Sequence, residues 1–318
     1  MKKILWALLL AAFLSFPGCQ NNQKDTLVIL HAGSLSVPFK QMAGAFMEKH
    51  PPIEVQTEAA GSRTCARKIT DLESRADVMA SSDSEVIKTL LIPQYADFCI
   101  DFATNEMVLM YGKKSRFGLQ VSADNWHQIL QEPGVEFSHS DPHADPCGYR
   151  ALLVMQLAEK HYQIPNLYEK LLEKRSLAKI RPKEVDLLAL LETGELDYIF
   201  IYRSVAVQHN GLYLALPDEI NLSSKAHADF YKRASVEIYG NNQGELIPRR
   251  GTPIVYGLTI PKTARSPHLA AQFVGFVLSP EGQKIMTGNG QSPMNPPYVD
   301  NFEALPDLFK KSIKMEEK

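Results

Sequence analysis

A chain of 318 residues, 45% hydrophobic and 22% charged, holds enough apolar material for two cores, and its formal net charge of -2 gives no basic excess with which to grip nucleic acid. Mild acidity also means that anions are not gathered by overall charge, so any anion site has to be local.

At the amino terminus two Lys precede the apolar run 4–14 and small residues ending at Cys19, the pattern of an export signal and too short for a permanent span. Gly18-Cys19 is similar to the acceptor site of bacterial lipoproteins, although Phe16 and Pro17 depart from the small residues usual there; cleavage by ordinary signal peptidase is the alternative. The lipoprotein reading makes 1–18 the signal and 19–25 a lipidated tether. The mature protein is then exported and anchored through Cys19 on the periplasmic side of a membrane.

Residues 26–31 form a short β-rich run, after which Ser36 can cap a helix with Pro38 in its first turn, and Phe39, Met42, Ala43, Phe46 and Met47 share one face. The event repeats twice. A strand at 53–60 leads through Gly61 and Ser62 into a helix carrying Cys65, Ile69 and Leu72; a strand at 77–80 leads to Ser82 and Glu85, at capping-box spacing ahead of Val86 and Leu90. A longer strand spans 105–112. Helices follow at 124–130, 149–160, 167–172 and 184–192, then strands at 196–204, 212–217 and 252–261, with an irregular polar stretch at 221–244. A helix near the end breaks at Ser279-Pro280 and restarts, and a short terminal element closes the chain. This alternation predicts an α/β fold of two lobes with mainly parallel strands. We divide it into 26–107 for the first part of lobe 1, 108–205 for lobe 2, and 206–318 for the return crossing and the rest of lobe 1. Such an arrangement leaves a ligand cleft between the lobes.

Two of the strand-to-helix turns read Ala-Gly-Ser, at Ser34 and at Ser62. A helix start presents unpaired N–H groups, glycine allows close approach, and serine adds a hydroxyl, so two such turns could hold a small oxyanion. A third candidate is Asp145-Pro146, a good helix cap. His139, Asp141, His143 and Asp145 together admit a divalent-metal reading, though no rigid spacing such as HExxH supports it. His31 with Ser34 or Ser62 and an Asp could be proposed as a hydrolase triad, but the second glycine of GxSxG is missing. The chain is therefore expected not to be an enzyme. Cys65 and Cys99 read as small buried hydrophobes, and with Cys147 they give neither a zinc pattern nor a disulfide framework.

LHAGSLSVPF, EAAGSRTCARKITDLESRADVMASSD, NEMVLMYG, DPHADPCGYRALL, GELDYIFIYRSVAVQHNGLYLALPDEINLSS and PIVYGLTIPKTA together resemble the molybdate/tungstate-binding proteins of ABC importers. More narrowly, they resemble the archaeal-type, WtpA-like branch of the ModA family, from about residue 25 to 300. The resemblance implies a type II periplasmic binding protein fold that closes over one tetrahedral oxyanion. It implies no cofactor beyond bound molybdate or tungstate, a membrane ABC permease with its ATPase as partner, and a monomer. It further implies that Ser34 and Ser62 hold the oxyanion and that Asp145 coordinates the molybdenum or tungsten atom together with a glutamate. The chain departs at that glutamate, since the family pattern DYxFEYxSVA reads DYIFIYRSVA here and places Ile201 where the acid is expected. Glu219 is a candidate substitute, Tyr202 and Tyr256 can turn hydroxyls inward, and Arg63 and Arg150 can balance charge. A protein for sulfate or another small oxyanion would differ only in pocket dimensions.

Overall fold

The computed structural model describes residues 25–315 apart from 241, 243 and 312, so the expected signal segment and Cys19 lie outside the described residues. The first third alternates as β1 (Asp25–Ala32), α1 (Ser36–Lys49), β2 (Ile53–Ala60), α2 (Ser62–Thr70), β3 (Val78–Ser81), α3 (Ser84–Leu90) and β4 (Ile100–Thr104). The middle comprises β5 (Met107–Tyr111), α4 (Trp126–Ile129), β6 (Phe137–Ser138), α5 (Pro146–Tyr162), α6 (Leu167–Lys174), α7 (Leu187–Thr193), β7 (Tyr198–Tyr202), α8 (Arg203–Gln208) and β8 (Leu212–Ala215). Then come α9 (Ala228–Tyr231), the antiparallel ribbon β9 (Ser235–Tyr239) and β10 (Leu246–Arg250), and finally β11 (Val255–Thr259), α10 (Pro267–Leu278), α11 (Pro280–Gly288), β12 (Ser292–Val299) and β13 (Lys314–Met315).

Besides the two-stranded ribbon β9-β10, two larger sheets form among the described residues, one per lobe. The larger has the order β13-β12-β4-β11-β3-β1-β2, and the smaller β6-β7-β5-β8. Parallel pairing holds for β1 with β2 and β3, but β11 runs antiparallel between β3 and β4, and β12 runs antiparallel to β4. The expectation of mainly parallel strands is corrected there, because β11 enters the sheet from the other lobe. β12 is not foreseen in the sequence: it contains three Pro, and its pairing with β4 shifts register between Pro293 and Tyr298, the kind of irregularity where a strand tolerates residues without an N–H.

Local chemistry sets the helix limits. Asp145 accepts from the Cys147 N–H at 3.1 Å and Pro146 occupies the first turn of α5, while Gly194, at φ 80°, ends α7 in the left-handed region. Ser279-Pro280 separates α10 from α11, as its sequence predicts. Two capping expectations are corrected. The Ser36 hydroxyl donates to the Gly33 carbonyl because a 3-10 turn at Gly33–Leu35 already precedes α1, and α3 is capped by Asp83, which accepts from the Glu85 N–H at 3.0 Å, rather than by Ser82.

Phe39, Phe46 and Phe273 pack edge to face beneath the larger sheet, and Trp126, Phe137 and Phe200 do so beneath the smaller one. Each such fully buried ring contributes about 1.5–3 kcal/mol by removal from water. The chain passes between the sheets at Asn105–Glu106 and again ahead of β11. The two passages lie side by side, with the Met107 N–H on the Asn221 carbonyl and the Ile254 N–H on the Leu222 carbonyl.

Candidate functional site

The two Ala-Gly-Ser turns sit at the carboxyl ends of β1 and β2, where the larger sheet faces the smaller lobe. Their glycines are required by that second lobe. A Cβ on Gly33 would lie 2.6 Å from Glu184 Oε2, and one on Gly61 would lie 2.4 Å from the Ala144 carbonyl oxygen. The same Ala144 carbonyl accepts the Thr64 N–H, which fixes the start of α2 against the second lobe.

Ser34 and Ser62 are completely buried, and a chain of hydrogen bonds runs from one towards the other. Ser34 Oγ shares a hydrogen bond of 2.8 Å with the Tyr256 hydroxyl, which also accepts from Asn105 Nδ2 at 2.9 Å. Ser62 Oγ accepts the Ser82 N–H at 3.0 Å and lies 3.2 Å from Ser82 Oγ, to which the Tyr202 hydroxyl donates at 3.3 Å. The Tyr202 and Tyr256 rings, 6.0 Å apart and steeply inclined, bring the two halves together. Arg150 Nη1 donates to the Tyr202 hydroxyl and to the Ser82 carbonyl, both at 2.7 Å. Four expected residues, Ser34, Ser62, Tyr202 and Tyr256, thus meet in one buried constellation.

The opposite wall is acidic. Asp145 is buried, with Oδ1 on the Cys147 N–H and Oδ2 accepting the Glu184 N–H at 3.0 Å. Glu184 opens a 3-10 turn ahead of α7, is fully buried, and neither of its carboxylate oxygens has a hydrogen-bond partner among the described residues. Burial, with the neighbouring Asp145 charge added, drives the Glu184 carboxyl well above the usual range, and burial raises Asp145 as well. Tyr202 and Tyr256 lie within electrostatic reach of Asp145 and Glu184 respectively.

A cationic pair stands beside this wall. Asp83 of the larger lobe takes hydrogen bonds from Tyr149 on α5 and Arg249 on the ribbon, with Arg150 Nη2 at 3.4 Å. Burial works against its charge, yet the Arg249 and Arg150 guanidiniums outweigh it and hold the Asp83 carboxyl low. Burial likewise opposes the Arg150 charge, but Tyr202, Asp83 and Tyr149 retain it. Arg150 therefore delivers a buried positive charge next to the serine cradle.

The remaining expectations are redistributed. Arg63 turns away from the site and donates to the His143 and Tyr239 carbonyls, joining α2 to the other lobe. Glu219 lies in the loop after β8, close enough to bear on Tyr162, and Ile201 is buried and apolar. The four candidate metal ligands disperse: His139 Nδ1 bonds to the Ser140 carbonyl, the His143 ring stacks on Tyr239 at 4.0 Å, and Asp141 accepts the His143 N–H. Among the described residues no group of three or more His, Cys, Asp or Glu could hold a metal ion, so that alternative is corrected. The His31 ring is turned to the Ala32 carbonyl and packed against Phe39, and among the described residues no hydrogen bond joins it to Ser34 or Ser62. Cys65, Cys99 and Cys147 are free and buried. Sequence reasoning missed Glu184, Asn105 and Ser82; the one available signal for Glu184 was the acid absent at 201 beside an acid in the preceding helix start.

A model of the bacterial extracellular solute-binding protein family matches residues 27–291. An uncharacterized solute-binding protein of Petrotoga mobilis is 50% identical over 91% of this chain and 90% of its own length. The molybdate/tungstate-binding protein WtpA of Thermococcus kodakarensis is 39% identical over 99% of this chain and 97% of its own. The structure of the Azotobacter vinelandii periplasmic molybdate-binding protein superposes with a TM-score of 0.61 at 17% identity, over 83% of this chain and 98% of that one, a likeness of fold that agrees with the two-lobed α/β expectation. A buried, hydroxyl-lined constellation between two lobes and relatives aligned along nearly the whole chain converge: this protein belongs to the bacterial extracellular solute-binding family, in the molybdate/tungstate-binding ModA/WtpA superfamily, and is a binding protein for import and not an enzyme.

Proposed function

We propose that the chain captures molybdate or tungstate and delivers it to a membrane ABC permease driven by its ATPase, as a monomeric lipoprotein of the archaeal-type branch anchored through Cys19. The observation that carries this reading is the enclosed set of Ser34, Ser62, Tyr202, Tyr256 and Arg150 facing Asp145, every member at most 2% exposed. A tetrahedral dianion presents four acceptor oxygens. Serine and tyrosine hydroxyls supply donors, and the Arg150 guanidinium offsets part of the charge in a medium where unpaired charge is costly. A bare carboxylate facing a dianion is repulsive, so Asp145 makes sense when one of its oxygens becomes a ligand of the central metal, which sulfur in sulfate does not allow. The lobes close about the paired passages at Asn105–Glu106 and at Asn221 with Ile254. The WtpA relatives, one of them 39% identical over almost the entire chain, support the choice of anion.

Calorimetric titration of ligand-stripped protein with molybdate, tungstate and sulfate tests the reading. Both metal oxyanions are expected to bind more tightly than sulfate; sulfate binding more tightly than either overturns it.

A further inference from the structure

We propose that the turn joining β5 to α4, residues 112–121, is a membrane-contact tip that rests on anionic lipid headgroups. The inference concerns a face remote from the oxyanion site and stands independently of what that site binds.

The register of the smaller sheet sets the position. Met107 pairs with Tyr202, at the site, while Tyr111 pairs with Tyr198 at the other end, so the chain leaves β5 on the side of the lobe away from the serine cradle. The turn reads GKKSRFGLQV, with three cations and no acid. Lys113, Lys114, Arg116, Phe117 and Leu119 are all exposed, Phe117 by 41% and Leu119 by 101%, so that the leucine has no groove or neighbour to shelter it. Phe117 also holds φ at 60°, a left-handed conformation that is costly for a bulky side chain and persists only where the surroundings impose it.

A dedicated frame imposes it here. Asp197, buried just ahead of β7, accepts the Arg116 N–H on Oδ1 at 2.8 Å, and on Oδ2 accepts Arg116 Nη1 at 2.7 Å and the Glu136 N–H at 2.9 Å. Ser115 Oγ donates to the Asp197 carbonyl at 2.6 Å and accepts the Gly112 N–H at 2.8 Å, and the Tyr198 hydroxyl donates to the Arg116 carbonyl at 2.5 Å. The Phe117 carbonyl in turn takes the Gln120 and Val121 N–H groups. A plain connection between two elements has no use for a buried carboxylate committed to holding Phe117 and Leu119 outward. Asp197 neutralises Arg116, and among the described residues no ion pair engages Lys113 or Lys114, so the tip keeps two uncompensated positive charges on a chain of net charge -2.

This combination selects a lipid surface over a protein. A protein interface of ordinary size covers about 800 Å² on each partner, whereas a short projecting turn offers two apolar side chains flanked by cations. Phe117 and Leu119 can enter the boundary between headgroups and acyl chains while the lysine stems reach the phosphates. Each lysine beside an anionic surface strengthens partition about fivefold, and the pair therefore about 25-fold. Contact of that strength orients a molecule already kept near a membrane; it does not hold one there unaided.

The test uses the mature protein carrying Cys19→Ser, so that no acyl chain attaches, and vesicles of phosphatidylcholine with or without about 30% phosphatidylglycerol. Leu119→Trp supplies a reporter, because Trp6 lies in the expected signal segment and Trp126 is fully buried. Its emission is expected to shift to shorter wavelength, and to be quenched by acyl-brominated lipid, with the anionic vesicles alone. In cosedimentation, the double variant Lys113→Gln, Lys114→Gln binds the anionic vesicles about 25-fold more weakly than the parent. Phe117→Asn also loses binding, yet melts at or above the parent temperature, since Asn accepts the left-handed backbone. If Phe117→Asn melts lower, Leu119→Ser, at a fully exposed position, takes over the comparison. Unchanged emission from Leu119→Trp with anionic vesicles, or equal partition of the parent and the double lysine variant, overturns the proposal. So does a Leu119→Ser protein that keeps its vesicle binding but no longer binds the solubilised ABC permease, a result that assigns the tip to a protein partner.

Discussion

Tyr256→Phe removes one oxygen atom from the centre of the site and leaves shape and charge unchanged. That hydroxyl holds Ser34 Oγ at 2.8 Å and accepts from Asn105 Nδ2 at 2.9 Å, in a region fully shielded from water. Asn105 retains its bond to Ser204 Oγ, so its loss is partial, whereas Ser34 Oγ loses the contact that orients it. One buried group left unsatisfied costs about 1–3 kcal/mol, which sets the expected destabilisation of the ligand-free protein at about 2 kcal/mol. The bound anion feels more than the missing oxygen. Because Asn105 already donates to the phenol, the Tyr256 proton is free to point at Ser34 or at the ligand, and its removal withdraws one hydrogen bond to a charged acceptor, about 1.5–3 kcal/mol, or roughly 10- to 100-fold in affinity. Calorimetry on wild type, Tyr256→Phe, Ser34→Ala and the double variant measures this. The double variant is expected to lose little more than the worse single one, since the two hydroxyls act as a pair. Affinity within twofold of wild type in Tyr256→Phe, or fully additive losses, refutes the reasoning.

Gly61→Ala places a methyl 2.4 Å from the Ala144 carbonyl oxygen, a backbone atom that cannot rotate away. The lobes should close less fully, with affinity reduced about 10- to 100-fold and a larger radius of gyration for the ligand-saturated protein in small-angle scattering. Ser62→Ala strips the acceptor from the Ser82 N–H and is expected to cost about 1–3 kcal/mol in a urea melt, besides weakening oxyanion binding. For pH, burial holds His31 and His139 at about 4 against an ordinary 6.5, an effect their backbone carbonyl partners only partly offset. The unfolded chain therefore takes up protons that the folded chain refuses between pH 6.5 and 4. Stability should fall across that window as pH is lowered, by about 3 kcal/mol for each histidine at its lower end. Urea midpoints at pH 7.5 and 4.5 check this, and His139→Leu should remove a substantial share of the drop.

The strand-and-helix alternation was legible because it is local: caps, glycines and periodic apolar faces announce α1, α2 and α5 from residues close in sequence. The Ala-Gly-Ser turns and Asp145 were legible for the same reason. Glu184 was not, since an acid at a helix start is favourable on dipole grounds alone, and nothing within its own segment reveals that Gly33 and Asp145 will meet it. Arg63 illustrates the converse. Its position beside Ser62 suggested a charge facing the anion, whereas the carbonyls of His143 and Tyr239, remote in sequence, draw it to the lobe boundary. β12 was hidden by its prolines, which argue against a strand unless the register is broken where they fall.

Gly33 and Gly61 have a consequence for what other molecules sense. At both points the lobes touch with no room for even a methyl group, so the closed arrangement has no slack beside its cargo. A guest slightly too large props the jaws apart at their root, and a small gap at the root becomes a wide one at the rim. The outer edges of the two lobes thus act as a gauge needle, converting differences of tenths of an ångström around one anion into a displacement that a docking partner can read without ever touching the cargo.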